Sequence, residues 1–275
     1  MGKFNLVDFD KKSHQYVNEW LEKNLKEENG KTVDQLEEEA PLVYAAWAEK
    51  ESRYFDDFTG AELVEMLSEY IVSDISVPDL LCERIIKKKE DTEAPLYQLY
   101  AKGVFSAEDR IMMINMLSAM DSALPLQDFI TLILEQEEDT EVINAAAEAL
   151  RFMTTASADD ILNAFDNAEK QAAKELFMNA LVYQKSAPAG LTDRLITLLS
   201  DSTSKAFVAG MMTQYGDDDC LPILYEAEQA LDIDYIDYTE ICNAIEALGG
   251  NTDRSRDFEG DSYYDMLKNY TMDGN

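Results

Sequence analysis

His14 is the one histidine among 275 residues, and that narrows the chemistry open to the chain. Multi-histidine metal sites are excluded, and a Ser-His-Asp or Cys-His mechanism would rest on a single N-terminal residue. His14 reads better as an exposed residue in the first turn of a helix. Cys82, Cys220 and Cys242 are widely separated, odd in number and outside any CxxC. Neither a disulfide framework nor a zinc site follows, and they read as packing residues. No GxGxxG, GxxxxGK or GxSxG occurs, which leaves phosphate-cradling loops and a nucleophile elbow without support. DIDYIDYTE, residues 232–240, only partly matches a calcium loop: Ile236 stands where an oxygen ligand is needed and Asp237 where the sharp-turn glycine belongs. The sequence therefore predicts no catalytic residue, no cofactor, no metal and no enzyme.

Carboxylates can still act together. The 56 acidic and 23 basic residues leave a formal net charge of -33, which a nucleic acid or an anionic membrane would repel. The excess is uneven: residues 1–125 hold 26 acids and 14 bases, residues 126–275 hold 30 acids and only 9 bases. Between Lys205 and Arg254 there is no base at all, while Asp217, Asp218, Asp219, Asp232, Asp234 and Asp237 fall there. These six are the expected partner-binding residues, for a basic protein or peptide. The first three open one helical pair and the other three lie in the turn joining its helices. A solvated face that keeps the chain soluble is the plainer use of the same charge.

The elements that must position these acids are helices. In EEDTEVINAAAEALRFM, residues 137–153, Val142, Ala145, Ala146, Ala149, Leu150 and Met153 form one narrow stripe at helical spacing. Asp139 or Thr140 can cap its first free amides. LPLQDFITLILEQ before it supplies Leu126, Phe129, Ile130, Ile133 and Leu134 on a second helix, making an antiparallel hairpin. Taking Leu150 as an anchor, equivalent positions fall at Leu117, Leu181, Met212 and Leu248, a period near 31. Met113, Ala146, Phe177, Val208 and Ala244 stand four places before the anchors; Met116, Ala149, Ala180, Met211 and Ala247 stand one before. Seven before stand Arg110, Ile143, Lys174, Lys205 and Ile241, and eleven before stand Ser106, Asp139, Lys170, Asp201 and Asp237.

On these residues DTEVINAAAEAL resembles the second helix of a HEAT repeat of the short bacterial kind. Asp139, Val142, Ala146, Ala149 and Leu150 match the family's acid, valine and alanine-rich stripe, while Ile143 departs at its basic position. The resemblance implies an all-α, right-handed α-solenoid of about five HEAT-like hairpins over residues 77–250, each hairpin completing its neighbour's core. Residues 1–76 read as an N-terminal helical cap. There Ser13 caps a helix carrying Val17, Trp20, Leu21 and Leu25 that Gly30 stops, Pro41 marks a break or first turn, and Thr59 with Glu62 forms a capping box. Lys87, Lys88 and Lys89 read as the end of a helix. Residues 251–275 read as a polar tail or last helix, with Tyr263, Tyr264, Met266, Leu267 and Tyr270 as docking residues.

No apolar run of signal or membrane-spanning length occurs, and the expectation is a cytoplasmic protein. Two functions fit. One is a non-enzymatic protein-protein interaction scaffold with an acidic surface. The other is an inhibitor or immunity-type protein that mimics nucleic-acid charge to block a basic nuclease or DNA-binding protein.

Overall fold

The structure, a computed structural model, describes residues 2–26, 32–73, 75–103, 105–154, 158–184, 188 and 190–272. Among these, all regular structure is helical, with no strand. None of the helices is long and apolar enough to cross a membrane. The chain divides into two compact units, Met1–Pro125 and Leu126–Asn275. The expected boundary at residue 76 therefore lies inside the first unit.

The first unit begins with α1 (Phe9–Lys26) against α2 (Val33–Ser52). The cap of α1 is not Ser13: Asp8 accepts from the Lys11 amide at 2.8 Å, and Ser13 sits within the helix, donating to the Asp10 carbonyl. The helix consequently starts earlier than expected, and His14 is an exposed residue of its second turn. Leu25 lies off the packed stripe, 59% exposed, and Gly30 is outside the described residues. Pro41 also departs from expectation. It stands exposed in the interior of α2, where its ring removes only the bond to the Glu37 carbonyl. The helix survives that loss because a Thr32/Gln35 capping box fixes its start and Leu36 and Trp47 are buried along it. Around Trp47 gather Phe9, Tyr16 and Tyr44, an aromatic cluster that holds α1 to α2.

Next come α3 (Gly60–Ile71), α4 (Asp79–Lys87), α5 (Lys89–Tyr100) and α6 (Ala107–Ala119). The Thr59/Glu62 capping box opens α3 as expected. Gly60 must be glycine, since a Cβ there would lie 2.4 Å from the Asp91 carbonyl oxygen, where α3 packs on α5. Tyr70 ties the N-terminal segment down, its hydroxyl donating to the Val7 carbonyl and accepting from the Val7 amide. The three lysines straddle a break rather than ending one helix. Lys87 closes α4, Lys89 opens α5, and Lys88 between them donates to the Asp56 and Phe58 carbonyls. Lys89 reaches the Asp121 carbonyl at 3.1 Å.

Among the described residues, the second unit holds four helical hairpins, a short 3-10 turn and a final helix. The hairpins are α7 (Leu126–Glu135) with α8 (Thr140–Phe152), α9 (Ala158–Asn167) with α10 (Gln171–Tyr183), α11 (Leu191–Asp201) with α12 (Lys205–Tyr215), and α13 (Leu221–Glu228) with α14 (Tyr235–Ala247). The second helices pack in order, α8 on α10, α10 on α12, α12 on α14. Ala146, Ala149 and Leu150 are buried on α8, so the alanine stripe does face its neighbours.

The expected register holds through Met212 and then shifts. Leu248 is half-buried and Ala247 exposed, whereas Ile241, Ala244 and Ile245 are buried. With Ile245 as the last anchor, the spacings from Leu117 become 33, 31, 31 and 33. The cap of α14 moves with it. Asp234, not Asp237, is the N-cap of α14 and precedes Ile245 by the interval that separates Asp139 from Leu150. In the third hairpin the anchor Met212 stays buried and only the cap position differs, since Asp201 ends α11 and Ser204 stands at the N-cap of α12.

The last segment docks on the fourth hairpin ahead of α15 (Ser262–Met272). Buried Phe258 meets Tyr235 and Tyr238, and Arg256 donates to the carbonyls of Glu228, Ala230 and Leu231 at the end of α13. Of the expected docking residues, Tyr264 meets Tyr235 and Phe258, and Tyr263 meets Tyr235. Tyr263, Met266 and Leu267 remain substantially exposed, and the side chain of Tyr270 is outside the described residues.

Candidate partner-binding surface

The six aspartates fall at two places on the α13/α14 hairpin. Asp217 caps a 3-10 turn, Asp218–Cys220, that leads into α13. Its two carboxylate oxygens are both engaged: one accepts from the Thr192 hydroxyl on α11, the other from the Asp219 amide at 3.1 Å. Those bonds, the hydroxyl first, hold its carboxyl below the usual carboxylate range. Asp218 and Asp219 are exposed, and one oxygen from each of the three lies within 4.8 Å of the others. A hard cation could use such a trio. The oxygens of Asp217, however, already serve donors of the chain.

Asp232 is exposed in the turn before α14. Asp234 accepts from the Asp237 amide at 2.8 Å, closing the first turn of α14. Asp237 lies within that turn of helix rather than in the loop preceding it, and its carboxylate accepts from the Ala206 amide at 2.7 Å. It thus supplies the cap that α12 lacks, since Ser204 at its own N-cap position makes no side-chain cap bond. Three of the six therefore have structural work at helix starts, and Asp218, Asp219 and Asp232 are the exposed remainder. All six still contribute negative charge where no base intervenes between Lys205 and Arg254.

Two bases of the repeat register bond to backbone carbonyls. Lys170 donates to the Glu135 carbonyl and Lys205 to the Leu199 carbonyl. An Arg194–Asp166 pair instead links α11 to α9 through two bonds of 2.9 Å. The thiols of Cys82 and Cys220 are pushed up to about 12 and about 11 by burial, which keeps them protonated and unreactive at neutral pH.

Sequence reasoning missed a second feature of this unit. Phe152, Tyr183 and Phe207 are 60%, 38% and 39% exposed, on α8, α10 and α12 in turn. The Arg151 guanidinium lies 3.5 Å from the Tyr183 ring centroid and 5.1 Å from that of Phe152, joining the first two. A signal was present: Phe152 and Tyr183 each stand two places past an anchor leucine, about 200° round the helix from the buried stripe. The chain matches no family model, and no curated protein or solved structure matches it.

Proposed function

We propose that this chain is a non-enzymatic binding scaffold whose second unit offers an acidic surface to a basic protein or peptide. The observation that carries the reading is the run from Lys205 to Arg254, which contains no base and leaves Asp218, Asp219 and Asp232 exposed. Such a field steers a cationic partner and weakens as salt shortens the Debye length to roughly 8 Å at physiological ionic strength. Neutralising Asp218, Asp219 and Asp232 together to asparagine removes charge without touching a helix cap. The on-rate of a basic partner at low salt should fall, with the off-rate little changed. An unchanged on-rate, measured by stopped flow at low ionic strength, would leave these acids as aids to solubility.

The order in which α8, α10, α12 and α14 pack supports the companion reading, that the hairpins are HEAT-like repeats of a right-handed solenoid in a cytoplasmic protein. In such an array each hairpin depends chiefly on its neighbours. Removing residues 217–275 should therefore leave the helicity of the preceding hairpins largely intact by circular dichroism, whereas collapse of the whole unit would reject a repeat array.

A further inference from the structure

Next to the exposed aromatic residues lies a groove of about 410 Å³ between α10, α12 and α14. Tyr183, Phe207, Asn179, Glu240, Gly210 and Met211 are among the residues that line it. Gly210 is the informative residue. It sits in the middle of α12, where glycine is less favourable than alanine, yet nothing in the fold asks for it. Its φ is not positive, and a Cβ built on it would meet no atom within 4 Å. Neither backbone conformation nor internal packing accounts for a missing side chain that faces solvent. What its absence does is keep the groove open to something approaching the α12 backbone.

The remaining lining indicates the chemistry of the occupant. The groove has aromatic rings, a carboxylate and a carboxamide, and no lysine or arginine among its lining residues. It belongs to the unit in which acids outnumber bases 30 to 9. Aromatic rings and a carboxylate lining one groove favour a planar cation, because a guanidinium can stack on a ring and pair with an acid while its apolar stem covers the rest of the groove. The chain already makes the ring half of this contact with its own Arg151 on Tyr183.

We propose that this groove receives an arginine side chain of the basic partner, its stem over Gly210 beside Phe207 and its guanidinium at Glu240. This rests on the acidic-surface reading and gives it a point of specificity. Charge alone would treat arginine and lysine alike; the groove would not.

The test compares nona-arginine with nona-lysine, fluorescently labelled, by anisotropy against the full chain at low and at physiological salt. Nona-arginine should bind about tenfold more tightly. Gly210→Met, which fills the groove and meets no atom of the fold at its Cβ, should remove most of that difference, as should Glu240→Gln. Nona-lysine binding should change little in either variant, with circular dichroism confirming unaltered helicity. If both peptides bind equally and both variants behave as the parent chain, the groove proposal is overturned while the acidic-surface reading stands. If neither peptide binds at low salt, both fall.

Discussion

Asp237 shows how a charge conspicuous in the sequence acquires a use that the sequence does not display. Its carboxylate closes the N-terminus of α12 through the amide of Ala206, 31 residues before it. Asp237→Ala should cost about 1 kcal/mol, the usual worth of a helix cap, and raise amide exchange at the start of α12. Asp232→Asn, in the exposed turn, should leave the melting temperature within experimental error. Equal effects of the two changes would contradict the capping geometry. The acids were legible as a charge run because charge is additive and local. Their division into caps and exposed groups was not, because the deciding hydrogen bond joins two hairpins. The groove was hidden for the same reason, since Tyr183, Gly210 and Glu240 come from three helices.

Most helices were legible, because apolar periodicity and caps are short-range signals. The misses share a cause. Local preference alone favours a break at Pro41 and a cap at Ser13, and packing of Trp47 and capping by Asp8 override it. In α14 Leu248 has the residue type of an anchor, but Ile241, Ala244 and Ile245 form the buried face of a helix capped at Asp234. Close packing of α8 on α7 and α10 makes Ala146 a test of that register: it is fully buried. Ala146→Leu should destabilise the chain by about 1 to 3 kcal/mol in chemical denaturation, because added methylenes must push packed helices apart. The final helix offers a pH test. Asp261 accepts from the amides of Tyr264, Tyr235 and Tyr263, which hold its carboxyl below the usual range. A depressed folded pKa contributes stability above the unfolded value of about 3.9 and loses it as pH falls through the folded one. Exchange protection across residues 258–268 should thus drop between pH 5 and 2, after correction for intrinsic rates, and Asp261→Asn should flatten that dependence.

At the scale of the whole molecule the dominant quantity is the net charge of -33. Self-repulsion of that size opposes the compact state and is relieved by screening. Raising sodium chloride from about 10 mM to about 150 mM, which shortens the Debye length from roughly 30 Å to roughly 8 Å, should therefore raise the melting temperature. The same change should weaken any cationic partner, so stability and binding should move oppositely with salt, and a common direction would point away from an electrostatic surface. The Asp237 cap has a temporal consequence as well. A ribosome making about 5 to 20 residues per second delivers Asp237 roughly 2 to 6 s after Ala206, since 31 residues separate them. Throughout that interval the nascent third hairpin carries an unclosed helix start, and it is finished only by the hairpin synthesised next.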